Sequence, residues 1–288
     1  YGMVLLTMGA LTVHAYFNVW ANARDARVAY HTTLVETLHY LDAHPEIGPD
    51  VAISTITPGR FHDPAVAAMI LQRDDLRIRW FDARSSWVYP SAARSVIIWS
   101  DIAAPDETFK SLPTQYGLPL DRIRLRPGDF NRTVKLIEWS TPDLETPTEP
   151  MAVGDVLSLA AVWVTPSGQT TGDAFEVFTV WRIEGTSGAE VVLFTHALDE
   201  SNRVVAQQDL LSVPSWGWFV GDHFVQLHRF IIPPETPPGI LRIEIGAYTR
   251  SGARPDFNPV ITRLPITDAQ GNPLGDSLIV ATVEVTAR

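Results

Sequence analysis

The stretch FEVFTVWRI, residues 175–183, places Phe175, Val177, Thr179 and Trp181 on one side of an extended chain. Side chains alternate across a β-strand, so a period of two marks a strand with one face turned to a core. Working outward, Leu157, Leu159, Ala161 and Trp163 repeat the pattern before it, and Val191, Leu193, Thr195 and Ala197 repeat it after. Leu241, Ile243, Ile245 and Ala247 form another run, and Ile279, Ala281, Val283 and Val285 the last. Turn residues separate them: Gly172-Asp173, Gly185 to Gly188, Asp199 to Asn202, Pro237 to Gly239, and Asp268 to Asn272. Short strands at this spacing, with no helical period between them, predict an antiparallel β-sandwich of jelly-roll type over residues 151–288.

Upstream the pattern changes. VAISTI (51–56), LRIRWF (76–81) and SVIIW (95–99) are unbroken apolar runs of the kind found in a sheet covered on both faces. Ser85 to Pro90 reads as a short strand or a loop. Helical spacing covers Asp25 to His44 and Ala65 to Arg73, with Asp63 expected as the N-cap of the second and Pro64 at its first position. Glu107 to Leu112 adds a short helix. This order predicts a small α/β, Rossmann-like lobe with a mostly parallel sheet over residues 24–140. Residues 141–150 (TPDLETPTEP) carry three prolines and read as a stiff polar linker. The strand Thr133 to Trp139 could belong to either side of it.

The chain of 288 residues is 45% hydrophobic and 19% charged, enough to bury two ordinary cores. A net charge of -11 opposes a nucleic-acid partner and adhesion to anionic lipid. With no cysteine, disulfides, thiolate metal sites and Cys nucleophiles are absent together. The first charged side chain is Arg24, and YGMVLLTMGALTVHAYFNVWANA before it has the length of a membrane span. Tyr16, Phe17 and Trp20 gather at its far end, where an interfacial aromatic belt lies. Residues 1–23 are accordingly read as the end of a transmembrane helix, the last of a longer protein. The alternative is a buried helix of a soluble domain.

No catalytic constellation is specific enough to name a reaction, and no spacing matches a compact metal motif. His62 and Asp63 follow a strand and open a helix, a place where α/β sheets present ligands, so they are a candidate anion or sugar site. The ordinary reading is a helix cap beside a surface histidine. Asp74, Asp75 and Asp82 lie among arginines and read as surface ion pairs. His196, Asp199 and Asp209, with His223 and His228 further on, would have to converge to hold a metal. Trp216, Trp218 and Phe219 share the loop SVPSWGWFVGD, and exposed rings on a sandwich loop stack on sugars. The alternative is that they close the core or pack on the α/β lobe. Asn131-Arg132-Thr133 matches the glycosylation acceptor pattern.

The stretches LVETLHYLDAH, VAISTITPGRFHDPAVAAMILQRDDLRIRWFDARSSWVYP, FTHALDESNRVVAQQD, WFVGD and PPGILRIEIGAYTRSGARP resemble the region after the last membrane helix of bacterial glycosyltransferases. The family is the protein-mannosyltransferase type (family 39, the GT-C membrane fold). This resemblance implies an extracytoplasmic tail of an enzyme that moves sugar from a polyprenyl-phosphate donor. The family's catalytic carboxylate lies in an early loop with no counterpart in these residues, so no catalytic residue carries over. No cofactor is expected here. The implied partners are the membrane, through the first helix, and a glycan or polyprenyl-phosphate sugar, through the full-length protein.

Overall fold

The computed structural model describes residues 1–126, 129, 133–142, 150–165, 168–252 and 258–286, with the backbone alone at 168 and 169. Strand outweighs helix, 43% to 22%, so the protein is mostly β with several antiparallel pairings. It opens with helix α1 (Gly2–Val13), which continues in π-helical form through His14–Trp20. The segment Gly2–Trp20 has a mean hydropathy of 1.3 and none of it is buried. Tyr16 stacks on Trp20, and Trp20 meets Tyr30 edge-on at 5.6 Å.

The expected helix over 25–44 is two helices, α2 (Arg24–Ala29) and α3 (Thr32–Ala43). Between them His31 adopts the left-handed conformation, φ 52°, which no α-helix accommodates. The Thr32 hydroxyl donates to the Arg27 carbonyl across the break at 2.6 Å. Helix α4 runs Asp63–Ile70, three residues shorter at its end than expected, and α5 is Leu112–Tyr116. The helix expected over 107–112 is a single tight turn at Glu107–Phe109 followed by α5.

The first six strands are β1 (Asp50–Ser54), β2 (Arg77–Phe81), β3 (Ser86–Tyr89), β4 (Ser95–Ser100), β5 (Gly117–Arg124) and β6 (Thr133–Trp139). Five of them form one sheet in the order β2-β1-β4-β6-β5. Only β1 with β2 and β1 with β4 are parallel; β4–β6 and β6–β5 are antiparallel. The sheet is therefore mixed rather than mostly parallel, and the Rossmann-like arrangement expected is not what these pairings describe. The apolar runs do have both faces covered, as their lack of alternation requires. Val51, Ile53, Val96, Ile98, Val134 and Leu136 pack with Leu34, Leu38 and Leu41 of α3. Their neighbours Ala52, Ile97, Trp99, Ile137 and Trp139 face a second, larger core.

That larger core belongs equally to the second half. Its strands are β7 (Met151–Val153), β8 (Leu157–Thr165), β9 (Gly168–Thr170), β10 (Ala174–Ile183), β11 (Glu190–Leu198) and β12 (Val204–Asp209). They continue with β13 (His223–Ile231), β14 (Gly239–Ser251), β15 (Val260–Arg263), β16 (Ile266–Thr267), β17 (Pro273–Gly275) and β18 (Leu278–Thr286). Two sheets result, β17-β16-β7-β8-β10-β13-β3 and β12-β11-β14-β18-β9, with β15 on β14. All pairings are antiparallel except β18 with β9. Phe175, Val177 and Trp181 from one sheet and Leu193, Ile243, Ile245 and Val283 from the other share a single apolar cluster, which gives the pair its sandwich character.

Strand β3 settles the reading of residues 85–90. It leaves the first sheet and pairs with β13, Trp87 opposite Val225. Trp87 is fully buried, 5.5 Å from Trp139 and edge-on to Phe81 and Trp99. The two halves thus share a strand and a core across the compositional change at 141–150, of which residues 143–149 lie outside the described residues. Strand β6 belongs to the first sheet. The motif at 131–133 lies outside the described residues except for Thr133.

Strand β13 carries polar side chains into the core. Gln226 is fully buried; it accepts from the Ser212 N–H at 2.8 Å and donates to the Ser85 carbonyl at 3.0 Å. His228 is buried beside the Leu210 carbonyl, and desolvation pushes its imidazole down to about 4 from the usual 6.5. Between those values the folded protein keeps His228 neutral while the unfolded chain takes up a proton. Stability therefore falls as the pH drops from about 6.5 toward 4, by about 3 kcal/mol from this group. Melting curves across that range should show a slope that His228→Phe reduces; equal slopes in both proteins would contradict the assignment.

Candidate functional site

A cleft of about 240 Å³ opens where β1 and β4 end, between the loop after β1, the start of α3 and the segment carrying Asp129. It lies at the C-terminal ends of two adjacent parallel strands, the place where open α/β sheets leave room for ligands. Its floor is apolar: Leu34, Ile53, Ile98 and Val134 come from the core beneath α3. Its rim carries hydroxyl groups from both strand ends and from α3.

Of the two residues singled out in the first lobe, the structure brings one to this cleft. Asp63 lines it and is 6% exposed. It is the first residue of α4 rather than the N-cap; His62 holds the cap position and makes no side-chain capping bond. His62 itself is exposed and is not among the cleft residues. The chain turns over at Gly59–His62, so consecutive residues 62 and 63 face opposite surroundings. The Thr55 hydroxyl donates to Asp63 Oδ2, and His31 Nδ1 lies 2.8 Å from Oδ1. That approach is not an aligned hydrogen bond, which leaves Oδ1 buried without one.

His31 takes the place expected of His62. Its left-handed backbone is unusual for a residue with a Cβ and costs about 1–2 kcal/mol, a strain that recurs at functional sites. No sequence spacing links residues 31 and 63; the link is tertiary. Nearby, Arg27 makes a two-point ion pair with Asp129, its Nη2 2.8 Å from Oδ2. The Arg27 guanidinium holds the Asp129 carboxyl below the usual carboxylate range, opposed by burial and helped by the Arg126 N–H. Arg126 also donates to Asn22 Oδ1, tying this segment to the end of the apolar helix. The cleft therefore sits directly beyond the point where that helix ends.

The three rings of the loop at 212–222 separate. Trp218 is 6% exposed, donates to the Val213 carbonyl at 2.8 Å and packs near Phe224. The Phe219 ring lies under the Arg79 guanidinium, 4.6 Å from its centroid. Only Trp216, 40% exposed, keeps an open indole. The loop's other task is ionic. Asp222 is 1% exposed and pairs with Arg79 of β2, which also reaches Asp50 Oδ1 at 2.9 Å. Asp222 accepts from the Ser91 N–H as well, at 2.7 Å. This loop clamps the sandwich to the first sheet.

Among the acidic and histidine residues of the sandwich, His196 does meet two carboxylates, Asp209 at 3.4 Å and Glu244 at 3.1 Å. Asp199 instead closes its own turn, accepting from the Ser201 and Arg203 N–H groups. His228 on β13 lies within electrostatic reach of Asp209 and His196, whereas His223 at the start of that strand is beside Arg182 and Glu184. No group of three ligands suited to a metal ion occurs among the described residues. Asp75 pairs with Arg73 and Asp82 with Arg84, local pairs in which Arg73 and Asp82 are largely buried rather than the surface pairs expected.

No protein-family model matches the chain. No curated protein matches it. Among solved structures it is similar to the C-terminal domain of wzt, at 14% identity and a TM-score of 0.33, over 51% of this chain and 84% of that one. A second likeness is the alkylpurine DNA glycosylase AlkC of Pseudomonas fluorescens, at 14% identity and a TM-score of 0.28, over 47% and 32% of the two chains. A third is a CARDB domain from Pyrococcus furiosus, at 11% identity and a TM-score of 0.26, over 48% and 100%. Scores this low carry no argument about what the chain does.

Proposed function

We propose that the chain is the non-catalytic, extracytoplasmic part of a membrane glycosyltransferase that moves sugar from a polyprenyl-phosphate donor, bracing the enzyme and guiding its acceptor. The observation that carries the reading is the join between Gly2–Trp20, charge-free and wholly exposed, and a folded body whose cleft begins within the next helix. The body buries none of this helix, which it meets through Tyr30 on Trp20, and the helix has the composition of a bilayer span. Sugar transfer enters through the resemblance of the stretches quoted above. In an assay of the full chain with a polyprenyl-phosphate-linked sugar and acceptor peptide, no transfer above background is expected. Robust turnover by this chain alone would overturn the reading.

A second reading, a carbohydrate-binding sandwich, draws on the open face of Trp216. On a glycan array it predicts a signal that Trp216→Ala removes. Trp218→Ala is not a suitable probe, because its ring is part of the core.

A further inference from the structure

We infer that the strand-end cleft is a binding site for one neutral, polyhydroxylated ring, a single pyranose or a cyclitol, and that it does not take phosphate. This rests on the reading of the chain as a binding part of a sugar-handling protein and assigns the ligand class to a place in it. Three observations support it.

The first is charge. Among the described lining residues the guanidinium of Arg27 is taken by Asp129, and Asp63 accepts from the Thr55 hydroxyl with His31 Nδ1 2.8 Å from its other oxygen. Phosphate recognition calls for uncommitted cationic forks or clustered N–H donors. Among the described lining residues no guanidinium or ammonium is uncommitted. A buried carboxylate at the wall would also repel an anion.

The second is hydrogen-bonding capacity. The hydroxyls of Thr33, Thr57 and Ser100 line the cleft without an intramolecular hydrogen bond among the described residues. Nε2 of His31 is likewise without one, while Nδ1 faces Asp63. Hydroxyl groups both donate and accept, so a set of them suits a ligand whose own groups do the same.

The third is size and lining. About 240 Å³ lies just under the range of drug-sized pockets, which fits one ring and not a chain. The apolar floor of Leu34, Ile53, Ile98 and Val134 matches the C–H face of such a ring, and the hydroxyl rim matches its edge.

The test uses the full chain in lipid nanodiscs, with saturation-transfer NMR on methyl α-mannopyranoside, methyl α-glucopyranoside and myo-inositol. At least one probe is expected to receive saturation. The double variant Thr57→Val/Ser100→Ala should weaken its affinity about tenfold, the scale of two unmade hydrogen bonds. Thr33→Val, on a different element, supplies a second variant should the first unfold. Trp216→Ala should leave the affinity unchanged, and inorganic phosphate should not displace the probe. Silence from all three probes, undiminished binding in both cleft variants, loss in Trp216→Ala, or displacement by phosphate would each overturn the inference. None of these bears on whether the chain transfers sugar, so the proposed function stands or falls separately in the turnover assay.

Discussion

Replacing Asp222 by alanine is expected to destabilise the protein by about 3–5 kcal/mol, the cost of breaking a buried ion pair from one side. Arg79 is 3% exposed, and Asp222 supplies two of its contacts. Without it, Arg79 must share Asp50 with Arg77, and two buried or half-buried guanidinium groups compete for one carboxylate. The Ser91 N–H loses its acceptor in the same step. For a chain of this size the melting temperature should fall by roughly 10 °C. The double variant Arg79→Met/Asp222→Leu should recover much of the loss, because removing both charges also removes the uncompensated one. A single variant that melts with wild type would show that the clamp contributes little.

Trp87→Ala should cost a similar amount, about 3–5 kcal/mol, for a different reason. Its ring fills the junction between the first sheet and the sandwich, touching Phe81, Trp99 and Trp139. Deleting it leaves a cavity that three other large rings, each on a different strand, cannot close without moving the sheets. Trp87→Phe keeps most of the apolar contact and should lose much less. Denaturant unfolding of the detergent-solubilised chain distinguishes the two. Equal, small losses from both variants would contradict a shared core.

These two residues also show where the sequence stops being legible. The alternating runs at 157–163, 175–181, 191–197, 241–247 and 279–285 all lie in strands. A register shift in β8 and another in β18 nevertheless turn Trp163 and Ile279 outward, 43% and 50% exposed, against the core-facing place predicted by their period. Strand β13 does not show it: Gln226 and His228 occupy core-facing positions, and their polarity conceals the period. Strand β3 is only four residues long, and its allegiance to the sandwich depends on a partner at 223–226. Strand β5, exposed along most of its length, is not legible as a strand at all, and the direction of β6 is hidden because parallel and antiparallel pairing leave no mark on a single strand.

The cleft was half legible. Asp63 drew attention through its place at a strand-turn-helix junction, whereas its neighbour His62 points away. Its true partner His31 lay in what reads as an unbroken helical period, and only its backbone conformation separates it from that helix. The Trp-rich loop carried a clear aromatic signal but no sign of its role. The seat of Phe219 under Arg79 is set by a strand more than a hundred residues earlier, while Trp218 is buried through Val213 and Phe224.

The central claim is that an exposed apolar helix holds this folded body, and its cleft, at a bilayer. Flotation of the full chain on neutral phosphatidylcholine vesicles tests it most directly, with Met8→Arg/Leu11→Arg as the comparison. Each arginine near the centre of a span costs about 2.5–3.5 kcal/mol, so the pair should lower membrane partition by roughly four orders of magnitude. The account predicts that the wild-type chain floats with the vesicles and the double-arginine variant, folded by circular dichroism, stays at the bottom. A wild-type chain that remains soluble and monomeric beside the vesicles would contradict it.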